Sequence, residues 1–238
     1  MKILIVNDDS IHAPGIRVLA NAVASLGDVY VVAPEEQCSA MSQKLTIRDN
    51  LIIRPYPDFS ASVRGAWSIS GTPVDCAKVA LRYMMEEKPD LVLSGVNNGY
   101  NVGFDTAYSG TVGAAMEAAR NGIPAIALST AHERHLEAVE PHLLPIIREL
   151  LEEPLESGQL WNVNFPALAR QPLMGILRDR PVARMSMFCD KYVGENRPDG
   201  TVELTNAGFS IRDNFDAPGT DAEAVRQGYI SISRLSAY

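Results

Sequence analysis

The fold is decided at residues 2–9, which read KILIVNDD. Residues 3–6 are apolar without alternation, a pattern typical of a strand buried on both faces of a sheet. Asp8 and Asp9 follow at the carboxyl end of that strand, which is where an open parallel sheet binds its ligands. The stretch therefore predicts both a core strand and two carboxylates at the functional edge of the sheet.

Strands and helices alternate along the chain outward from this stretch. Further strands are predicted at residues 29–32, 67–70, 91–93, 123–128 and 161–166. Helices are predicted at residues 16–26, at about 111–120 and at about 133–153. Another helix is expected to begin with Thr72 as N-cap, Pro73 at the first helical position and Asp75 in the reciprocal capping position. This alternation predicts an α/β fold with a doubly wound, mostly parallel sheet.

The last third of the chain changes character after residue 166. Short β-like pieces, such as 201–204 and 229–233, are separated by Pro, Gly and Asp, and a helical pattern is present only at 221–226. We therefore expect a catalytic domain at 1–166. Residues 167–238 are expected to form an extension with hairpins and an oligomerisation arm, so that both parts make one unit.

Composition narrows the class of protein. The 238 residues are 46% hydrophobic, which is enough for one large domain with a core, and the net charge of −8 argues against nucleic-acid binding. The three scattered cysteines favour free thiols in a reducing compartment. The first apolar run is too short for a signal peptide or a membrane span. We expect a cytoplasmic protein with no nucleic-acid or membrane partner.

Four polar clusters are predicted to meet at the carboxyl edge of the sheet, at residues 7–10, 36–42, 94–101 and 108–111. Asp8 and Asp9 are the most informative members. Adjacent carboxylates beside a buried strand repel each other, and a divalent cation relieves that repulsion. Oxygen ligands alone favour Mg²⁺ or Mn²⁺ over zinc. The alternative is that the pair only caps the turn after the strand.

The start of the helix near residue 111 is a second candidate site. Ser109, Gly110 and Thr111 combine hydroxyls with free backbone N–H groups, which suit a phosphate. Ordinary N-capping by Ser109 is the alternative. Asn101 is a further candidate for substrate contact, although the Asn and Gly residues around it also suit a turn. His12 is near enough in sequence to the carboxylate pair to be a proton donor, or it is a surface residue of the loop.

Together these clusters resemble the SurE family of 5′-nucleotidases, also called survival proteins. The matching stretches keep the family's order and cover nearly the whole chain: 5–9 with 13–15, 32–34, 39, 42, 45–46, 71–76, 94–101, 108–112, 162–166, 219–221 and 228–232. The resemblance implies a Rossmann-like domain and a metal held by Asp8, Asp9, Ser39 and Asn97.

The resemblance also implies an activity and an assembly. It implies hydrolysis of nucleoside 5′-monophosphates, with 3′-nucleotides and polyphosphate as further candidate substrates. It implies a homodimer or homotetramer in which the carboxy-terminal extension is exchanged between subunits. Two features depart from the family: Ser10 replaces a usual glycine, which could stiffen the metal loop, and residues 35–40 lack the usual basic side chains.

The main alternative is a Mg²⁺-binding receiver domain, a signalling module that begins with a similar strand and acidic residues. Ser94 stands where its phosphorylated aspartate must be, which disfavours it. The loop after the first strand lacks the GxGxxG of a dinucleotide-binding dehydrogenase. A haloacid-dehalogenase-type phosphatase needs Asp-x-Asp, and Ser10 is too weak an acid for the second position. We therefore predict that a metal-activated water, rather than Asp8, attacks phosphorus, and that Asp8 or Asp9 takes its proton.

Overall fold

The computed structural model describes residues 1–168, 172–207, 210–211 and 217–238. The strands in chain order are β1 (Lys2–Val6), β2 (Asp28–Pro34), β3 (Ile53–Pro55), β4 (Gly65–Ile69), β5 (Leu91–Asn98), β6 (Ala125–Thr130), β7 (Gln159–Phe165), β8 (Gly175–Arg178), β9 (Phe188–Cys189), β10 (Tyr192–Asn196), β11 (Val202–Asn206), β12 (Ser210–Ile211) and β13 (Tyr229–Ser236). The helices are α1 (Pro14–Val23), α2 (Pro73–Val79), α3 (Gly110–Arg120), α4 (Leu136–Leu151) and α5 (Asp221–Arg226).

The central sheet has nine strands in the order β3-β4-β2-β1-β5-β6-β7-β13-β8. The six strands from β4 to β7 in this order are parallel, whereas β3 and β13 run antiparallel to β4 and β7. From β1 the chain builds one side of the sheet through β2 and β4, and then crosses to β5 to build the other side. Strand order therefore reverses between β1 and β5. The predicted α/β fold, doubly wound and mostly parallel, is confirmed.

Two apolar cores lie on opposite faces of this sheet. Ile3 and Ile5 of β1 belong to the core under α1 and α4, whereas Leu4 and Val6 belong to the core under α2 and α3. All four side chains are fully buried. The apolar run has no alternation because successive side chains enter different cores. In the described part of the chain, no helix is long and apolar enough to cross a membrane.

The helices on the second face are placed by short-range signals and small residues. The predicted capping box of α2 is present: Thr72 Oγ1 accepts from the Asp75 N–H at 3.2 Å, and Asp75 Oδ2 accepts from the Thr72 N–H at 2.9 Å. Helix α3 packs very closely against the loop after β2, since a Cβ on Gly113 would lie 2.3 Å from the carbonyl oxygen of Ser42. The close approach holds that loop beside the start of α3.

The carboxy-terminal segment contributes to the main sheet. Strand β13 lies between β7 and β8, and its Ile230 and Ile232 are fully buried in the first core. The helix expected at 221–226 is α5. Strands β10 and β11 form an exposed hairpin. The boundary at residue 166 stays a prediction, and residues 169–171, 208–209 and 212–216 of the extension lie outside the described residues.

Candidate active site

The reversal of strand order brings three loops together at the carboxyl edge of the sheet. The loop after β1 carries Asp8 and Asp9, the loop after β2 carries Ser39, and β5 ends at Asn98. The backbone N–H of Cys38 donates to the carbonyl oxygen of Asp8 at 2.7 Å, which fixes the β2 loop against the β1 loop. The residues predicted to hold a metal therefore share one edge of the sheet.

Asp8 is buried and faces the start of α3. Only 4% of the residue is exposed. Its Oδ1 accepts from the Thr111 hydroxyl at 2.6 Å, and its Oδ2 accepts from the Thr111 backbone N–H at 3.2 Å. Burial, followed by the charge of Asp9, raises the pKa of Asp8 to about 6, even though the bonds from Thr111 act to lower it. The negative charge on this carboxylate is therefore costly without a nearby cation.

Asp9 is half-buried and bonded to two other loops. Its Oδ2 accepts from the backbone N–H of Asn98 at 2.8 Å, and its Oδ1 lies 3.4 Å from Gln37 Nε2. Burial raises the pKa of Asp9, and the charge of Glu133 raises it further, against the lowering effect of the bonds from Asn98 and Gln37. Asp8 and Asp9 thus form a carboxylate pair whose charged state the surrounding protein disfavours.

Ser39 and Asn97 complete the predicted ligand set. Gln37 Nε2 lies 3.1 Å from Ser39 Oγ, so one amide group reaches both Ser39 and Asp9. The side-chain nitrogen of Asn97 donates to the carbonyl oxygen of Gly99 at 2.8 Å, so the side-chain oxygen of Asn97 points away from that carbonyl. The backbone of the next residue bonds to Asp9. All four predicted ligands therefore lie in one neighbourhood.

The chemistry of this donor set fits a hard divalent cation. Two carboxylates, a hydroxyl and an amide oxygen are ligands that Mg²⁺ and Mn²⁺ prefer. Among the described residues, neither Asp8 nor Asp9 forms a salt bridge with a basic side chain. No group of three or more His, Cys, Asp or Glu side chains in the described ranges could hold a metal. A metal at this edge would therefore depend on the neutral oxygens of Ser39 and Asn97 as well.

The first turn of α3 faces Asp8, as the predicted phosphate site requires. Ser109 is the N-cap, and its Oγ accepts from the Val112 N–H at 3.0 Å. Gly110 is the contact point, because a Cβ there would lie 3.0 Å from Asp8 Cβ. Both donors of Thr111 are already bonded to Asp8. The structure therefore couples Thr111 to the carboxylate, and leaves the Ser109 hydroxyl hydrogen and the Gly110 N–H as the candidate donors to a phosphate.

Asn101 lies deeper than the sequence prediction implied. It is 5% exposed, and its side-chain nitrogen donates to Ser129 Oγ at 2.8 Å. Its backbone N–H and C=O are both bonded by Asn164, and its C=O is also bonded by Asn162. A substrate-contacting role for Asn101 stays a prediction. Sequence reasoning missed the support from β7, although two asparagines on one face of a buried strand were a usable signal.

Backbone conformation at this edge is unusual. Ser10 has a φ of 89°, and Ala40 and Ser42 have φ values of 58° and 51°. Such conformations are costly for residues other than glycine, and they are common at functional sites. Glycine at position 10 would adopt this backbone conformation without a steric penalty, whereas Ser10 adopts it at a cost.

A cavity of about 220 Å³ opens beside Asp9. Its polar lining includes His12, Gln37, Asn98 and Glu133. His12 is exposed, with its Nδ1 3.2 Å from the Tyr56 hydroxyl. Sequence reasoning named His12 but missed Gln37 and Glu133, because neither stands out from an ordinary polar surface before the loops are assembled. The cavity gives a ligand direct access to Asp9.

Fold and site together define a doubly wound α/β protein with an oxygen-rich site at the switch point of its sheet. Residues 3–188 match the family model for survival protein SurE. The chain belongs to the SurE family.

Sequence and structural relatives agree with this membership. The chain is 38% identical over 239 residues to the 5′/3′-nucleotidase SurE of Cronobacter sakazakii, covering 99% of this chain and 90% of the relative. It is 38% identical over 235 residues to the 5′/3′-nucleotidase SurE of Escherichia coli O17:K52:H18, with the same coverage. The crystal structure of the SurE protein from Aquifex aeolicus matches with a TM-score of 0.83 and 34% identity, covering 100% of this chain and 94% of that one. The receiver-domain alternative is thereby ruled out.

Proposed function

We propose that this protein is a phosphoric monoester hydrolase that acts on nucleoside 5′-monophosphates, with 3′-nucleotides and polyphosphate as further candidate substrates. The observation that carries the proposal is the carboxylate pair at the switch point, which forms no salt bridge with a described residue and lies opposite a helix start. The two relatives described above are named 5′/3′-nucleotidases, and the chain aligns with them over nearly its whole length. An acidic protein needs such a site to bind an anionic ester.

Asp8, Asp9, Ser39 and Asn97 would hold a divalent cation, and we propose Mg²⁺ or Mn²⁺. When bound, such a cation neutralises phosphate charge and lowers the pKa of water. The raised pKa values of the two carboxylates are consistent with this assignment, because their charged forms gain most from a cation. Gln37 keeps Ser39 and Asp9 aligned, and Asn98 fixes the second oxygen of Asp9.

The start of α3 orients the phosphate. The Ser109 hydroxyl and the Gly110 N–H donate to phosphate oxygens, and the positive end of the helix dipole favours the charge there. Thr111 acts through Asp8, since its hydroxyl and N–H fix both carboxylate oxygens. Phosphate held at this end of α3 lies beside the carboxylate pair, which favours a defined direction of attack.

Asp8 is poorly placed to be the nucleophile. Both of its oxygens accept hydrogen bonds from Thr111, which makes them weaker nucleophiles. We therefore propose that water attacks and that Asp9 Oδ1, whose described bond to Gln37 is a long 3.4 Å, accepts the proton.

The reaction is tested by a screen of phosphate esters. The purified protein would be incubated with 5′-AMP, 3′-AMP, glucose 6-phosphate and polyphosphate, each with Mg²⁺, Mn²⁺ or EDTA. We expect release of phosphate from 5′-AMP with a metal and none in EDTA. Full activity in EDTA-treated enzyme, or absence of activity on every nucleotide, would refute the proposal.

The identity of the nucleophile is tested by a single turnover in ¹⁸O-labelled water. Label should appear in phosphate, and the acid-quenched tryptic peptide from Ile3 to Arg17 should carry no phosphate by mass spectrometry, because an aspartyl-phosphate hydrolysed at phosphorus would also leave the label in phosphate. Label in the Asp8 carboxylate, or a phosphorylated peptide, would show that Asp8 attacks phosphorus directly.

Assembly through the extension is a further part of the proposal. In the β10–β11 hairpin, four large apolar side chains are exposed: Tyr192, Val193, Val202 and Leu204. We propose that the hairpin joins subunits into a homodimer or homotetramer, and that the chain divides into a catalytic domain at 1–166 and an extension at 167–238. The double variant Tyr192→Asp with Leu204→Asp should lower the mass measured by light scattering. An unchanged mass would refute the hairpin interface.

A cytoplasmic location is the last part of the proposal. The three cysteines are unpaired in the structure, which fits a reducing compartment. Fractionation of cells that express the protein would check the location, and recovery outside the cytoplasm would contradict it.

A further inference from the structure

Two sequence motifs matched the family but have no role in the chemistry proposed above. One is Asn162-Val163-Asn164 in β7, and the other is Gly219-Thr220-Asp221 at the start of α5. In the structure, both motifs bond to the backbone of one segment, residues 99–108, which we call the site loop. This loop connects the end of β5, where Asn97 lies, to the N-cap of α3 at Ser109.

Asn164 holds the site loop at Asn101 through both ends of its amide group. Its Oδ1 accepts from the Asn101 N–H at 2.8 Å, and its Nδ2 donates to the Asn101 C=O at 3.0 Å. Asn162 adds a second donor to the same carbonyl at 2.8 Å. Asn162 and Asn164 are at most 1% exposed. One side chain thus satisfies both backbone polar groups of one loop residue, as a neighbouring strand would.

Asp221 holds the same loop two residues further on. It is fully buried, and its Oδ2 accepts from the Gly103 N–H at 3.0 Å. Its Oδ1 accepts from the backbone N–H groups of Ala183 and Ala222 at 2.9 and 2.8 Å. A single carboxylate therefore ties the site loop to the segment after β8 and to α5. A buried carboxylate is costly unless such bonds satisfy it, so its position is strongly specified.

The site loop is also packed tightly against the carboxy-terminal segment. Gly103 has a φ of 58°, and a Cβ on it would lie 2.3 Å from the carbonyl oxygen of Met185. The Phe104 N–H donates to that same oxygen at 3.1 Å, and Asp105 Oδ2 accepts from the Met187 N–H at 2.7 Å. These contacts fix residues 103–105 of the site loop. The two ends of the loop are joined to this fixed part, so their positions depend on it.

We propose that Asn164 and Asp221 are positioning residues for the active site. They fix the middle of the site loop, and the loop in turn sets the placement of Asn97 and Ser109 relative to Asp8. The inference rests on the proposed function, since it assigns these residues to the metal and phosphate groups named there. Supporting groups of this kind typically affect metal affinity or activity by roughly 10- to 100-fold.

The test compares Asn164→Leu and Asp221→Asn with the control Ser231→Ala. Leucine matches asparagine in size but bonds to neither the N–H nor the C=O of Asn101. Asparagine at 221 places an N–H group where the carboxylate accepted bonds. Ser231 is paired in register with Asn164 in the same sheet and is equally buried, but its hydroxyl has no hydrogen-bond partner among the described residues. The control therefore alters the same buried region without touching the loop.

Three measurements are made on the full-length protein. Amide hydrogen exchange of residues 99–108 in the metal-free protein should be faster in both variants, whereas exchange in β1 stays as in the wild type. The Mn²⁺ dissociation constant from calorimetry should rise about 10-fold, and kcat for 5′-AMP should fall roughly 10- to 100-fold. Ser231→Ala should match the wild type in all three.

A merely structural role has a different signature. In that case both variants would melt at a lower temperature than the control. Below that temperature, the hydrogen exchange of the loop, the Mn²⁺ affinity and kcat would equal those of the control. This result would overturn the proposal. If Asn164→Leu does not fold, Asn162→Ala removes only one of the two donors to Asn101 and should show the same changes at smaller size. A wild type that cleaves no nucleotide would refute the proposed function, while loop exchange and Mn²⁺ affinity would still decide the role of Asn164 and Asp221.

Discussion

The two edges of the central sheet differ in the chemistry of the cavities that they carry. The amino edge, at the start of β5, β6 and β7, has a cavity of about 250 Å³ with a mainly apolar lining that includes Leu91, Ile123, Leu150 and Trp161. The carboxyl edge has a slightly smaller one, of about 220 Å³, with Asp9 and Glu133 in its wall. Cavity size therefore does not identify the candidate active site. Strand topology does, because it places carboxylates where the order of strands reverses.

The edges also differ in conformational strain. Of the four non-glycine residues with positive φ in the described ranges, Ser10, Ala40 and Ser42 belong to the loops of the carboxyl edge. Each such residue costs on the order of 1–3 kcal/mol, and the buried carboxylate pair adds to this cost. The carboxyl edge thus lowers stability, and the rest of the molecule must compensate. The four predictions below test this division between a reactive edge and a stabilising edge.

The largest difference is expected between Asp9→Asn and Ile123→Ala. Asp9→Asn should lower kcat/KM for 5′-AMP by at least about 100-fold, since a divalent cation contributes several kcal/mol to transition-state stabilisation. The thermal midpoint should not fall. Ile123→Ala, at the amino edge, should cost about 2–5 kcal/mol of unfolding free energy and leave kcat/KM unchanged below the melting temperature. Equal losses of kcat/KM in both variants would contradict the division between a reactive carboxyl edge and a stabilising amino edge.

The second prediction concerns the charge of Asp8 in metal-free protein. The fold raises the pKa of Asp8 from 3.8 to about 6. At 1.36 kcal/mol per pH unit, this shift changes the free energy of unfolding by roughly 3 kcal/mol between low and high pH. The fold favours the protonated form of Asp8. The free energy of unfolding therefore keeps the whole contribution of Asp8 below pH 3.8 and loses it as pH rises through about 6. Asp8→Asn should therefore stabilise the metal-free protein at pH 8, by less than that amount because its amide cannot accept both bonds from Thr111.

The measurement is urea unfolding in EDTA at pH 4 and pH 8. The advantage of Asp8→Asn over the wild type should be small at pH 4 and clear at pH 8. An advantage that does not change with pH would mean that the charge of Asp8 is not the source of the cost. Asp75→Asn, at a carboxylate that belongs to the α2 capping box, should show no such gain.

Thr111→Val should reveal what the start of α3 contributes. Because the Thr111 hydroxyl bonds to Asp8 at 2.6 Å, its loss should weaken Mn²⁺ binding roughly 10- to 100-fold, as measured by calorimetry. Ser109→Ala is the matched control for helix capping, and it should cost about 1 kcal/mol of stability. Loss of phosphate inhibition in Thr111→Val with unchanged Mn²⁺ affinity would show that Thr111 contacts the phosphate directly.

The smallest effect is expected at Ser10. Ser10→Gly removes a left-handed strain of about 1–3 kcal/mol but adds roughly 0.4–1 kcal/mol of chain entropy to the unfolded state. The net result should be a gain near 1 kcal/mol in urea unfolding, with activity retained. Ser10→Ala keeps the strain and, like Ser10→Gly, loses the acceptor for the His12 N–H, so it should be less stable than Ser10→Gly. Equal or lower stability of Ser10→Gly relative to Ser10→Ala would show that the strain is absent.

Local signals predicted much of the fold, and non-local pairing accounts for what they missed. Apolar runs predicted β1, β2, β5 and β6, and Thr72 with Asp75 predicted the start of α2, because both signals depend on neighbours in sequence. Strand β3 was missed because its three residues carry no period. The place of β13 between β7 and β8 was missed because no local pattern specifies partners so distant in sequence.

The candidate site divides in the same way. Asp8 and Asp9 could be proposed because they follow a predicted strand, and Asn97 because of the family resemblance; all three lie at one edge of the sheet. The bonds from Thr111 to Asp8, the bridging role of Gln37 and the contact of Asn164 with the site loop could not be proposed. They depend on how closely loops approach, which only packing determines.

The place of β13 in the sheet has a consequence for how the chain folds. Until β13 arrives, β7 is an open edge strand, and its unpaired backbone is a template for association with other chains. A nascent chain that ends at β8 also lacks Asp221, so the Gly103 N–H of its site loop does not yet have this carboxylate as its acceptor. Early parts of the molecule can fold during synthesis, but closure of the sheet and completion of the active site are one late event. Chaperones that shield strand edges would protect the chain most in that interval.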